Sequence, residues 1–125
     1  MRNRKGSLDA LSLEKLRDLY AEAAMLHAEA MESGNFKLTN KQYDAVDAIW
    51  DELRRRGTAG QQIILELMLH DSVGVRCWSA CHALGFAPER AVPVLEQIAA
   101  IPTGMMSLDA ETALKRWRAG ELRFD

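Results

Sequence analysis

Two thiols and two imidazoles crowd one short stretch of this chain. Cys77, Cys81 and His82 fall in the run DSVGVRCWSACHAL, and His70 stands just before it. Thiolates and imidazoles are the usual zinc ligands, and they are the nucleophile and base of thiol hydrolases. The spacing supports neither use. A structural zinc site needs four ligands, usually in closely spaced pairs, and here two thiols share one helical face. Cys81 and His82 are adjacent, so on a helix they point about 100° apart. No third group is positioned by the sequence to orient an imidazole. Lying among Val73, Ala80 and Leu84, the two cysteines read as core, where free Cys is common. The expectation is no catalytic residue, no metal ligand and no cofactor.

Three other groups of residues could do chemistry. Asp44, Asp47 and Asp51 recur at helical spacing and would line one face of a helix. Carboxylates in a row can bind cations or work as acid and base, but oxygen-ligand sites usually need loop carbonyls as well. A solvated face, or one that recognises a partner, is the plainer reading. Lys115-Arg116-Trp117-Arg118 mixes bases with an aromatic. It lacks the wide basic stripe of a nucleic-acid surface, and positive charge is expected near a helix C-terminus. His27 falls on an apolar stripe, where a hydrogen-bonded and half-buried imidazole is the ordinary outcome.

Trp78 and His82 stand apart, because a helical wheel puts them opposite Val73, Cys77, Ala80 and Leu84. If the helices stack as hairpins, one surface would carry Asp44, Asp47 and Asp51, then Trp78 and His82, then Arg116. Aromatic side chains flanked by charge are typical interface anchors. The competing reading is that a neighbouring helix covers Trp78.

The elements that must position these residues are all helical. At 125 residues with a net charge of −2, the chain fits one domain with a real core. That balance predicts neither a nucleic-acid binder nor a membrane-surface protein. No apolar run approaches a bilayer span, and no apolar segment follows the basic start to make a secretory signal. Reduced thiols in a cytoplasmic protein are the simplest reading of the two cysteines. Residues 1–7 read as a flexible basic tail, and residues 8–125 as a single domain.

Six helices follow from the apolar spacing and its punctuation. The first covers residues 13–33, capped by Ser12 and stopped by Gly34, with Leu13, Leu16, Tyr20, Ala23, His27 and Ala30 facing the core. The second covers 41–56, capped by Thr39 or Asn40, with Tyr43, Val46, Ile49, Trp50 and Leu53 buried. Asp51–Arg55 and Glu52–Arg56 are favourable i, i+4 pairs on it. The third covers 60–69 and is nearly all apolar. Asp71 or Ser72 caps a fourth that runs through Leu84 to Gly85. Pro88 starts a fifth, 88–101, and Ser107 caps a sixth, 108–119, stopped by Gly120. Short links favour antiparallel neighbours, so the helices should pair one with two, three with four, and five with six.

The block Asp71-Ser72-Val73-Gly74-Val75-Arg76, followed by Ser79-Ala80 and Leu84, resembles a HEAT repeat with its D-x-x-x-V-R turn. PERAVPVLEQIA is similar to the first helix of a next repeat. Taken in order, NKQYDAVDAIWDELRRRG, the VR-x-x-SA-x-x-x-L helix, APERA, and Ala110, Leu114 and Gly120 together resemble the bacterial domain of unknown function family 2019. The likeness spans residues 8–122 and departs at Cys77, Trp78, Cys81 and the segment 101–108. It implies an all-α fold, an α-α superhelix of about three HEAT-like hairpins, and it carries no activity. The function it suggests is a non-enzymatic scaffold that binds a protein partner or a second copy of itself. An immunity protein that blocks a basic nuclease toxin is one version. The rival is a small-ligand site, since some HEAT-like proteins are similar to bilin lyases. A deep cleft beside Cys77, Cys81 or His82 is the feature that would favour it.

Overall fold

The computed structural model describes residues 8–102 and 104–122. The expected tail, 1–7, lies outside the described residues, as do positions 103 and 123–125 of the expected domain. Among the described residues there are six helices of ten residues or more and no strand: α1 Leu13–Ser33, α2 Phe36–Arg55, α3 Thr58–Leu67, α4 Val73–Ala83, α5 Pro88–Ala99 and α6 Met105–Arg118. The fold is all-α, as the periodicity predicts. No helix among these residues is long and apolar enough to cross a membrane.

The helix ends follow local chemistry, with three corrections to the sequence reading. Ser12 caps α1 by accepting the Lys15 N–H at 3.0 Å. Gly34 closes α1 at φ 75°, a left-handed conformation that glycine adopts without a Cβ penalty. Asn35 then caps α2 at once, accepting the Leu38 N–H at 3.1 Å. So α2 begins at Phe36, not Lys41, and Thr39 is not its cap. The Thr39 hydroxyl instead donates back to the Asn35 carbonyl at 2.8 Å. Helix α3 starts at Thr58 and ends at Leu67, which leaves Leu69 beyond it and exposed. Ser72, rather than Asp71, caps α4 by accepting the Val75 N–H. Helix α6 starts at Met105, so Ser107 lies inside its first turn and donates to the Gly104 carbonyl.

The core runs the length of the molecule. Leu16 and Tyr20 of α1, Val46 and Leu53 of α2, Ile64 of α3, Val75 and Ala80 of α4, and Leu95 and Ile98 of α5 are all essentially sealed from water. The expected pairs α1–α2, α3–α4 and α5–α6 all form. So do α4–α5 and α1–α4, so that α4 touches α1, α3, α5 and α6, and α1 touches α2, α3, α4 and α6. Small residues permit this. A Cβ on Gly74 would come within 2.8 Å of the Ala28 side chain, so α4 passes α1 too closely for a larger residue there.

One polar cluster is locked into the same frame. The Glu52 carboxylate, almost wholly buried, accepts from Arg55 at 2.8 Å and from Arg56 at 2.8 Å. Arg56 also donates to the Leu8 and Asp9 carbonyls, at 3.1 and 3.2 Å, and Arg55 pairs with the Asp9 carboxylate. The Glu52–Arg56 pair follows the expected spacing. Arg55 pairs with Glu52 and Asp9 rather than Asp51, which lies 3.9 Å from Arg54. Arg76 spans the carbonyls of His70 and Asp71, both at 2.8 Å, and so braces its own turn.

Candidate functional site

Side chains of α2, α4 and α6 line a cleft of about 870 Å³. Its floor is aromatic. Trp78 and His82 rise from α4, one helical turn apart. Tyr43 and Trp50, seven residues apart, come down from α2, and His27 reaches in from α1. Phe86, just past α4, also lines it.

The rings are ordered by their contacts. Trp50 stacks on His82 with centroids 4.6 Å apart and planes 11° from parallel, and Phe86 stacks behind Trp50 at 6.2 Å. Trp78 meets Tyr43 edge-on at 5.2 Å and His27 edge-on at 5.2 Å. Edge-to-face pairing of this kind is the preferred aromatic geometry. The Trp78 indole N–H donates to His27 Nδ1 at 3.2 Å, which fixes that nitrogen as an acceptor. Tyr20, fully buried on α1, lies with its hydroxyl 2.7 Å from His82 Nδ1. No other hydrogen bond of that hydroxyl is seen among the described residues. Tyr20 therefore donates to His82, and the imidazole proton is assigned to Nε2.

Electrostatics keep these imidazoles neutral. Burial, aided by the Arg54 charge, pushes His82 down to about 3. Burial also lowers His27, and it raises the Tyr20 hydroxyl well above its ordinary value, with lesser contributions from the Cys81 and Cys77 thiols. Of the two thiols, Cys77 is buried and Cys81 half-buried. Hydrogen bonding to Cys81, followed by burial, holds the Cys77 thiol far above its ordinary range. A thiol protonated so firmly is a poor nucleophile, and His82, already engaged with Tyr20, is a poor base. Among the described residues no group of three or more His, Cys, Asp or Glu side chains is arranged to hold a metal ion.

The low His82 value has a consequence for stability. The folded-state value is below the ordinary 6.5, so the stability contributed by the neutral ring is complete above 6.5. It is lost as the pH falls toward the folded value. Urea midpoints measured between about pH 7 and about pH 4 should therefore decline, and His82→Gln should flatten the decline. His27 shifts in the same direction and preserves part of the slope. Equal slopes for wild type and variant would show that His82 is not held neutral.

The rim is charged. Asp47, Asp51 and Arg54 stand on the α2 side, and Asp109 and Arg116 on the α6 side. Arg54 lies 3.9 Å from Asp51 and 6.0 Å from the Trp50 ring centroid, and Arg116 lies 4.0 Å from Glu121. Burial, then Asp51 and Asp44, raise the Asp47 carboxyl, and Arg54 only partly opposes them. Burial raises Asp109 as well.

The structure thus brings five of the sequence-nominated residues to one cleft: Trp78, His82, Asp47, Asp51 and Arg116. Asp44 does not line it and acts only through its charge on Asp47. Trp78 is a half-buried part of a concave floor rather than a projecting knob. Tyr43 and Trp50, expected in the core, line the cleft instead, and Tyr43 is about half exposed. Sequence reasoning also passed over Phe86, Arg54 and Asp109. Their only signal is position one or two turns from a nominated residue, and that becomes informative only once the helices are placed.

A family profile described as a domain of unknown function, DUF2019, matches residues 14–117. The crystal structure of the protein RPA1889 from Rhodopseudomonas palustris CGA009 superposes with a TM-score of 0.86. It is 23% identical, and the alignment covers 93% of this chain and 96% of that one. At that identity the likeness shows the fold alone. No curated protein matches the chain. With most of its length under the family profile, the chain belongs to the domain of unknown function family DUF2019.

Proposed function

We propose that this protein works by binding rather than by catalysis, and that it takes a small organic ligand into the cleft between α2, α4 and α6. The observation that carries this reading is the cleft itself. Its volume of about 870 Å³ lies within the range of about 300–1,000 Å³ typical of small-molecule sites. Its floor is apolar and aromatic with a few charged groups on the rim, which is the usual composition of such sites. The state of its reactive groups supports binding over chemistry: neutral, hydrogen-bonded imidazoles and a firmly protonated Cys77 thiol. Two thiols within one helix also suit a reducing compartment such as the cytoplasm.

Two of the three tryptophans, Trp50 and Trp78, line the cleft. A ligand seated there should change their emission. Screening an aromatic fragment set by tryptophan fluorescence should give saturable changes that Trp78→Phe reduces. Cys81, on the same wall, should label more slowly with a thiol reagent when the fragment is bound. Fragments that bind without touching either signal would place the working surface elsewhere.

A protein partner is a second reading, favoured by one feature. Phe36 and Tyr43 lie seven residues apart on one face of α2, and both are exposed. They extend the apolar surface past the cleft mouth. In that reading the partner lays a segment across α2 and inserts a side chain where the fragment would sit. HEAT-like scaffolds commonly bind proteins on such surfaces.

A further inference from the structure

Two features of the cleft, taken together, narrow its guest. The first is the set of rings. Tyr43 and Trp78 meet edge-on at 5.2 Å beside His27, and Trp50 lies across His82. Aromatic faces attract cations through their quadrupole, and the protein already uses this: the Arg54 guanidinium stands 6.0 Å from the Trp50 centroid. The second is the placement of carboxylates on facing walls. Asp51 has Arg54 beside it, and Arg116 has Glu121. Asp47 on α2 and Asp109 on α6 flank the same space. Burial, then the Asp51 and Asp44 charges, raises the Asp47 carboxyl against the pull of Arg54, and burial raises Asp109. A cation beside either carboxylate would favour its ionised form, whereas an anion would disfavour it.

We infer that the guest is an organic cation, an amine or quaternary ammonium with an apolar body, whose charged head lies against the Tyr43 and Trp78 rings, with Asp47 and Asp109 on the walls beside it. This rests on the proposed ligand-binding role of the cleft and specifies the chemical class it accepts. A free small molecule is chosen over a basic peptide because the carboxylates and rings converge on one concave space. A long acidic track would suit a peptide better.

The test uses three probes that share one skeleton: phenylbutylamine, phenylbutanol and phenylbutyrate. Binding to the intact protein is followed by tryptophan fluorescence and by calorimetry. The amine should bind about tenfold more tightly than the alcohol, a difference one well-placed ion contact supplies. The carboxylate should bind least. Added salt should weaken only the amine. Asp47→Asn and Asp109→Asn should each lose about three- to tenfold for the amine and clearly less for the alcohol. Both residues are exposed enough for the variants to fold, which an unchanged thermal midpoint and helical circular dichroism confirm. Equal affinity for amine and alcohol would overturn the cation assignment and leave the cleft a neutral apolar site. Preference for the carboxylate would overturn it in favour of recognition by Arg54 and Arg116. Binding of none of the three would overturn both this assignment and the small-ligand reading. A lysine-rich peptide that outcompetes the amine would transfer the cleft to a protein partner.

Discussion

Gly60→Ala is expected to destabilise the protein by about 3 kcal/mol or more, the upper end of what overpacking costs. Gly60 lies in the first turn of α3, against the last turns of α2. A Cβ built there would land on the Leu53 carbonyl oxygen and within 2.6 Å of its carbon. Both are backbone atoms inside a helix and cannot rotate aside as a flexible side chain would. Relief requires α3 to move off α2. That would also disturb Leu53, Ile63 and Ile64, all buried at the contact. Helix propensity runs the other way, since Ala is favoured over Gly by about 1 kcal/mol in a helix interior. The substitution therefore separates close approach from intrinsic preference. A urea midpoint equal to or above wild type would mean that the two helices are not in backbone contact.

Glu52→Ala should cost about 2 kcal/mol. The carboxylate is buried and accepts from two guanidinium groups. Removing it leaves Arg55 with Asp9 alone and takes away the carboxylate that Arg56 pairs with. Because Arg55 is largely exposed and Arg56 partly so, both can rehydrate, and the loss should fall below the about 3–5 kcal/mol of a fully buried pair. The effect should reach beyond α2. Arg56 donates to the Leu8 and Asp9 carbonyls, so amide exchange at Leu11, whose N–H bonds the Leu8 carbonyl, should quicken in the variant. Glu52→Gln should recover part of both losses, since the amide oxygen still accepts. No change in exchange at Leu11 would mean that the cluster stabilises α2 alone.

Much of the fold was legible because the signals are local. Ser12, Gly34, Ser72 and Pro88 mark helix ends by chemistry within one turn, and each stands where expected. The start of α2 was misplaced because Asn35, Thr39 and Asn40 are all competent caps. The choice between them depends on the two-residue link that Gly34 permits. Ser107 misled for a similar reason: a hydroxyl can cap a helix or bond back to its first carbonyl, and the sequence does not distinguish the two. The candidate site was legible in its residues more than in its form. Spacing placed Trp78 and His82 off the core face of α4 and the aspartates off that of α2. Spacing also put Tyr43 and Trp50 in the core, because an apolar stripe records which side of a helix is greasy. Whether a neighbour covers all of that stripe is set by where α4 and α6 are placed against α2, a long-range relation that periodicity does not contain.

Where α4 crosses it, α1 presents Ala24 and Ala28 to Gly74. Such a seam has no room for larger side chains, so drift there is penalised at once. The carboxylates and cations at the mouth of the cleft are exposed and add little to the core. Descendants of one ancestor could exchange them and change the chemistry of the cleft while the seam held the architecture constant. Conservatism and novelty are thereby assigned to separate parts of the molecule.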